Sequence, residues 1–330
     1  MTQARSSLIS LQDTPYYHCI SRCVRKAYLC GEDQQSGQCF DHRKIWLIER
    51  IRLLSQVFSI DICAYAIMSN HYHLVLHVDE KKAKGWSNYQ VIQRWTKLYR
   101  PLPLIERYSN NELTEKPEID CAEKIIHQWR ERLMDISWFM KNLNEYIARQ
   151  ANKEDQCTGR FWEGRFKSQA LLDERALLSC MAYVDLNPVH SGLVNRLEDS
   201  EFTSIYERLH GYACKQDSGR GQVQSLARTK LFGFLGNQRA KQPCKGLAFS
   251  LLDYFEMVDV LGHAIRPDKC GSLLVSPCTL LQELQLDSDE WLTISAQFGR
   301  HFTCAVGGIN ELRYFAQHTR RAWVRQVRIR

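Results

Sequence analysis

Two histidines separated by one residue, His71 and His73, are the side chains in this sequence whose type and spacing point most directly to chemistry. They begin the segment HYHLVLHV, which has the composition of a β-strand. Side chains alternate across a strand, so both imidazoles are expected on one side, with Cβ atoms about 7 Å apart. Two imidazoles at that separation can bind one divalent metal ion. The alternative is that both histidines line a half-polar sheet face.

A second pair, Tyr183 and Asn187, lies four residues apart in a segment that favours a helix. That spacing places the phenol and the amide on the same helix face. A phenol with a pKa of about 10 is a poor nucleophile unless it is activated. A metal ion that polarises the attacked phosphodiester removes much of that difficulty, and the amide oxygen of Asn187 suits Mg²⁺ or Mn²⁺. The alternative is that Tyr183 is a core aromatic residue and Asn187 a helix cap.

The elements that must position these residues follow from the periodicity of apolar residues. Strands are predicted at residues 16–24, 60–67 and 71–78, helices at 41–58, 136–152 and 173–187, and a hairpin of two short strands at 159–172. Pro188 is expected to end the last helix, because proline cannot continue it. This order predicts an α+β fold with helices packed on a mainly antiparallel sheet.

Changes in composition along the sequence suggest three regions. Residues 1–212 contain the candidate catalytic residues and are predicted to be a catalytic domain, with residues 79–135 as an insertion between core elements. Residues 213–246 are rich in Lys, Arg, Gln, Ser and Gly and are predicted to be a linker. Apolar helical segments return in residues 247–330, including 251–261, 280–286, 291–298 and 309–316, and predict a small helical C-terminal domain of unknown role.

The composition is that of a globular protein, with 44% hydrophobic and 25% charged residues in a chain of 330. No stretch approaches the roughly 20 apolar residues of a membrane span, and the first residues lack the apolar run of a signal peptide. A cytoplasmic protein with 13 reduced cysteines is therefore expected. The net charge of +7 fits a nucleic-acid partner but does not require one.

Basic and aromatic residues interleave in the segment GRFWEGRFK at residues 159–167. The charges of Arg160, Arg165 and Lys167 can follow phosphates, while aromatic rings such as Trp162 can stack on unpaired bases. Arg22 in the first strand is a further candidate for DNA contact. The alternative is that the aromatic rings belong to the core and the charges form a solvated face.

Taken together and in order, these motifs resemble the single-tyrosine HUH transposases of bacterial insertion sequences, in particular their REP-associated branch. The matching segments span about residues 14–210 without the insertion: His18 and Arg22 in the first strand, MSNHYHLV at 68–75, GRFWEGRFK at 159–167, and YVDLNPV at 183–189 followed by GLV at 192–194.

The resemblance implies a ferredoxin-like fold and a DNA transposase. Tyr183 is then the nucleophile that attacks single-stranded or hairpin DNA and forms a reversible 5′-phosphotyrosine link, which needs no ATP. His71 and His73 hold Mg²⁺ or Mn²⁺, and Asn187 occupies the position of a polar third ligand, where some relatives have Gln.

The resemblance leaves other points open. It is compatible with a homodimer, since family members differ in whether the tyrosine works with the histidines of its own chain. It implies a location at the bacterial nucleoid. Two alternatives to a transposase are a metal-dependent nuclease in which water attacks and a hairpin-DNA-binding regulator without catalysis.

Overall fold

A computed structural model of the chain describes residues 7–24, 29–32, 37–216, 230–236, 245–265, 298 and 304–321. Its strands are β1 (Tyr16–Arg22), β2 (Ile60–Ile67), β3 (His71–Val78), β4 (Lys167–Leu171) and β5 (Ala305–Val306). Its helices are α1 (His42–Val57), α2 (Glu80–Lys84), α3 (Asn88–Trp95), α4 (Pro103–Ser109), α5 (Lys116–Arg132), α6 (Ile136–Glu154), α7 (Glu174–His190), α8 (Ser204–Gln216), α9 (Leu251–Ile265) and α10 (Ile309–His318). A short 3₁₀ helix, Leu197–Asp199, precedes α8.

The strands form one sheet in the order β2-β3-β1-β4-β5. The pairs β2–β3, β3–β1 and β1–β4 are antiparallel. Together with helices α1 and α6, these four strands have the split β-α-β arrangement of a ferredoxin-like fold. The predicted α+β fold is confirmed, with one addition: β5 runs parallel to β4, so the complete sheet is mixed.

The two faces of the sheet have different partners. On one face, Tyr17, Cys19, Tyr72 and Leu74 belong to a buried cluster that includes residues of α1 and α6. Tyr72 also donates a hydrogen bond from Oη to Asn144 Oδ1 of α6, at 2.5 Å. Because side chains alternate, the intervening residues of β1 and β3 face the opposite side, where α7 packs. That side carries the histidines.

The predicted hairpin at 159–172 is wrong. Its second half forms β4, but its first half pairs with β1 rather than with β4. Trp162 forms a bridge with Cys23, and the backbone N–H of Val24 donates to the carbonyl of Phe161. Both halves therefore lie along the same edge of the β1 segment.

The predicted end of the last helix at Pro188 is also wrong, since α7 continues to His190 with Pro188 inside it. Proline removes one N–H donor, but the next groups still complete the helical pattern: Ser191 N–H donates to the Asn187 carbonyl at 2.9 Å. Asn187 therefore lies within the helix and not at its end, which keeps its side chain on the same face as that of Tyr183.

Residues 79–135, predicted as an insertion, form α2 to α5 between β3 and α6. Buried aromatic residues fasten them to the core. The rings of Trp95 and Trp129 stack at a centroid distance of 5.1 Å, and Trp95 also approaches Trp138 of α6. The insertion packs on the α1–α6 side of the molecule and leaves the opposite face of the sheet to α7.

The described C-terminal segments pack on the sheet and on α7. Leu247, Tyr254, Met257 and Val306 are buried in one cluster with residues of α7. The Lys245 ammonium lies 2.7 Å from an Asp61 carboxylate oxygen of β2. The predicted helix at 280–286 lies outside the described residues, as do 291–298 apart from Phe298. The division into a catalytic region, a linker and a C-terminal domain stays a prediction.

Within the described part of the chain, no helix combines the length and apolar character needed to cross a membrane.

Candidate active site

Strand β3 and helix α7 bring together all four residues that the sequence singled out for chemistry. The rings of His71 and His73 are 4.8 Å apart, and the ring of Tyr183 lies 5.6 Å from that of His73. Asn187 lies beside both, because its Nδ2 is 3.3 Å from His73 Nε2 and its side chain is near enough to the Tyr183 hydroxyl to lower the pKa of the phenol. Residues more than a hundred positions apart thus form one compact group within a single chain.

Two further polar side chains, His18 and Gln169, complete the group from the neighbouring strands. His18 Nε2 is 2.9 Å from His73 Nδ1, and His18 Nδ1 is 2.6 Å from Gln169 Oε1. His18 was named from the sequence only as part of a family resemblance, and Gln169 was missed. Only the pairing register could have identified them: His18 is opposite Gln169 across β1 and β4, a relation that no local pattern records.

The histidines of this group are held neutral by burial. Burial lowers the pKa of His18 and of His71 to about 4, with Arg22 contributing at His71. Burial also lowers the pKa of His73 well below its usual range, and the neighbouring His18 and His71 add to this. A neutral imidazole keeps a lone pair on one ring nitrogen, which is the form that binds a metal ion.

Tyr183 is partly covered in this structure. Phe298 stacks on its ring at a centroid distance of 5.6 Å, and Phe298 is itself fully buried. Burial raises the pKa of the Tyr183 phenol, while the hydrogen bond with Asn187 and the charge of Arg22 act in the opposite direction. The phenol is therefore protonated at neutral pH, and Phe298 covers one face of its ring.

The donor atoms fit a hard or borderline divalent ion with an incomplete protein shell. Within the described residues, no group of three or more His, Cys, Asp or Glu side chains is placed to hold a metal ion. The set here is two neutral imidazoles and one amide. Such a set suits Mn²⁺ or Mg²⁺ with water in the other positions. Asn187 Nδ2 now lies 3.3 Å from His73 Nε2, so the Asn187 amide must rotate away before His73 Nε2 can bind an ion.

The candidate DNA contacts fall into two groups. Arg22 and Lys167 are exposed and lie on the histidine side of the sheet, since Arg22 is opposite His71 and Lys167 is opposite Ile20. Arg160 and Arg165 are exposed on the loop before β4. Trp162 is buried instead: its indole N–H donates to the Asn144 carbonyl at 2.8 Å. Trp162 therefore matches the alternative that the aromatic residues of this segment belong to the core.

Comparisons with known proteins add little to this geometry. No protein-family model matches the chain, and no curated protein matches it. A solved structure described as "Structure of the REP associates tyrosine transposase bound to a REP hairpin" is similar over 70% of this chain and 98% of that one, with 13% sequence identity and a TM-score of 0.38. The function is therefore argued from the residues of this chain.

Proposed function

We propose that this protein is a metal-dependent transposase that cleaves and rejoins single-stranded DNA through a covalent link to Tyr183. The observation that carries the proposal is the grouping of Tyr183, Asn187 and His73. The Tyr183 ring lies 5.6 Å from the His73 ring, and Asn187 Nδ2 lies 3.3 Å from His73 Nε2, a nitrogen that can bind a metal ion. A core tyrosine needs no such neighbours. The rings of Tyr183 and His73 approach each other within one chain, at 5.6 Å, which supports an active site assembled within one subunit.

His71, His73 and Asn187 are the residues that would hold the ion. When bound, Mg²⁺ or Mn²⁺ supplies Lewis-acid polarisation of the phosphodiester. The protein's own part is to present two neutral imidazoles and to exclude water from one side of the site, since His73 is only 2% exposed and Asn187 is 8% exposed. The more accessible His71 marks the side from which DNA arrives.

The cleavage step at Tyr183 needs only the enzyme and the DNA strand as reactants. A lone pair of the Tyr183 hydroxyl oxygen bonds to phosphorus, and the bond from phosphorus to the 3′-oxygen breaks. The 3′-oxygen leaves with its electron pair and gains a proton, while the phenol loses one. The product is a 5′-phosphotyrosine ester and a free 3′-OH. The same step in reverse joins the strand to a new 3′-OH, so the energy of the broken bond is kept.

Single-stranded DNA fits the surroundings of the site better than a duplex. The Tyr183 hydroxyl lies between a sheet and helix α7, in a space that Phe298 now shares. A phosphodiester of a flexible strand can enter such a space, whereas a rigid duplex brings a second backbone with it. Arg22 and Lys167 line the exposed approach on the same sheet face and offer charges for the flanking phosphates.

Covalent capture tests this function. The full-length protein is incubated with end-labelled single-stranded hairpin DNA and Mn²⁺ and is then run on a denaturing gel. We expect a labelled protein band, and mass spectrometry of its peptides is expected to place the nucleotide adduct on Tyr183. The chain has 14 tyrosines, so the mapping decides which one reacts.

The other outcomes separate the two alternative functions. Cleaved DNA without any adduct, under conditions that trap phosphotyrosine, would assign the reaction to a nuclease in which water attacks. Tight hairpin binding without cleavage under any divalent ion would instead identify a regulator. An adduct on a tyrosine other than Tyr183 would refute the assignment of the nucleophile.

The metal ligands make a separate prediction. His71→Ala and His73→Ala each remove an imidazole donor, and we expect each to slow cleavage by about a hundredfold or more, because a bound ion contributes several kcal/mol to the transition state. DNA binding, measured by fluorescence anisotropy without metal, should change little. His127→Ala, on the remote helix α5, is the matched control. Full cleavage activity in either site variant would remove the metal site from the proposal.

A further inference from the structure

An uninterrupted line of hydrogen-bonding atoms runs through the interior from β4 to α7. It passes from Gln169 Oε1 to His18 Nδ1 at 2.6 Å, from His18 Nε2 to His73 Nδ1 at 2.9 Å, and from His73 Nε2 to Asn187 Nδ2 at 3.3 Å. The planes of the two imidazoles differ by only 13°. The ring centroids are 5.1 Å apart while the two nitrogens are 2.9 Å apart, so the parallel rings meet end to end and share an in-plane hydrogen bond.

The chemistry of the two ends fixes the direction of this line. An amide oxygen only accepts hydrogen bonds, so the contact with Gln169 Oε1 requires a proton on His18 Nδ1. A neutral imidazole has one N–H, which leaves His18 Nε2 as an acceptor. His73 Nδ1 must then donate, and His73 Nε2 keeps its lone pair. At the other end, Asn187 Nδ2 can only donate, and it meets that lone pair.

Burial makes this arrangement strict. His18 is 0% exposed, His73 is 2% exposed and Gln169 is 4% exposed. With little access to water, a ring nitrogen whose partner is wrong for its protonation state remains unsatisfied, which costs about 1–3 kcal/mol. Reversing the line would place two donors, His73 Nε2–H and Asn187 Nδ2, against each other. Both ends therefore favour the same tautomers.

His71 has an equivalent support of its own. Its Nδ1 lies 2.5 Å from Asn70 Oδ1, an oxygen that accepts, so His71 also carries its proton on Nδ1. Both histidines of the pair are thus left with unprotonated Nε2 atoms. The supports differ in kind: Asn70 is a sequence neighbour, whereas Gln169 acts through a second buried histidine from two strands away.

We propose that His18 and Gln169 are positioning residues that lock His73 in the Nδ1–H tautomer and so aim its Nε2 lone pair at the metal position. The inference rests on the proposed function, because the position of the His73 lone pair matters only if His73 binds a metal ion. Partners that orient a ligating histidine typically change metal affinity by about 10- to 100-fold when they are removed. Gln169 touches neither metal nor substrate, so its effect has to pass through His18.

The tautomers can be measured directly in the metal-free, full-length protein. Two-bond ¹H–¹⁵N correlation spectra of protein labelled with ¹⁵N-histidine distinguish a protonated Nδ1 from a protonated Nε2. We expect His73 and His18 both to carry the proton on Nδ1, with His18→Asn and His73→Asn used to assign the signals. A His73 ring protonated on Nε2 in the wild type would overturn the inference, whatever the protein's activity.

The metal affinity of Gln169 variants supplies the second readout. Calorimetric titration with Mn²⁺ should show about a 10- to 100-fold weaker Kd for Gln169→Leu, which removes the acceptor. Gln169→Glu keeps an acceptor oxygen and should bind Mn²⁺ within a few-fold of the wild type. Ser168→Ala is the matched control, because Ser168 is a buried neighbour in β4 that faces the other side of the sheet.

The outcomes separate this inference from the proposed function. If Gln169→Leu binds Mn²⁺ as tightly as the wild type and keeps the His73 tautomer, the positioning role is refuted while the transposase proposal stands. If the wild type binds no Mn²⁺, the metal-dependent function fails, and the positioning role fails with it. Should Gln169→Leu not fold, as judged by circular dichroism, the wild-type tautomer and the Gln169→Glu affinity still decide the question.

Discussion

Tyr183→Phe is expected to abolish the covalent DNA adduct and to slow strand cleavage by about three orders of magnitude or more. Loss of a covalent nucleophile has effects of at least this size in well-studied enzymes. The substitution removes only the hydroxyl oxygen that attacks phosphorus. The ring contacts with Phe298 and His73 are made by the part of the side chain that phenylalanine retains.

Because the ring is retained, the fold should tolerate this change. Losing the hydroxyl and its interaction with Asn187 should cost no more than about 1 kcal/mol of unfolding free energy, which urea denaturation can measure. Mn²⁺ and hairpin DNA should still bind. Tyr206→Phe on α8 serves as the control, since its ring packs against His210 and lies outside the site. If Tyr183→Phe cleaves at the wild-type rate, the nucleophile is not Tyr183 and attack by water becomes the better explanation.

The core elements could be predicted from the sequence because their patterns are local. The bounds of β2 and β3 match the predicted ranges 60–67 and 71–78, and α1 differs from its prediction by one residue at each end. The hairpin at 159–172 failed for a non-local reason. Its first half pairs with Cys23 and Val24 instead of with β4. Whether the edge of β1 is open for that pairing depends on the arrangement of the whole sheet.

The candidate site shows the same division between local and non-local information. The spacing of His71 and His73 and that of Tyr183 and Asn187 could each be read from the sequence, and each pair does share a face. That the two pairs meet depends on how α7 crosses β3. The register that sets His18 opposite Gln169 joins residues 151 positions apart, and no periodicity within either strand contains that information.

Asp185 lies between Tyr183 and Asn187 in the sequence but points to the opposite side of α7, into the protein interior. It is fully buried and accepts three hydrogen bonds: from Ser204 Oγ at 2.5 Å, from the Ile205 backbone N–H at 3.0 Å and from Tyr254 Oη at 2.6 Å. Burial raises the pKa of this carboxyl, and the donors from Ser204 and Tyr254 oppose that rise. One carboxylate thereby fastens α7 to both α8 and α9.

Asp185→Ala is expected to lower the free energy of unfolding by about 3–5 kcal/mol, because three buried donors lose their acceptor and each unsatisfied group costs about 1–3 kcal/mol. Urea denaturation followed by tryptophan fluorescence measures the loss. Tyr254→Phe removes a single donor and should cost about 1 kcal/mol. Asp199→Ala, at an exposed position in the 3₁₀ helix, should change stability little.

The double variant distinguishes a shared network from two independent effects. If Tyr254 acts through Asp185, removing its hydroxyl in the Asp185→Ala background relieves one unsatisfied donor. The double variant should then lose less unfolding free energy than the two single variants lose together. Strict additivity would contradict the network.

The contact between Asp185 and Tyr254 also bears on catalysis, since Asp185, which ties α7 to α9, is two positions from the nucleophile and from Asn187. Tyr254→Phe should therefore slow covalent capture more than its small stability cost explains, and equal capture rates would show that α9 does not position the nucleophile.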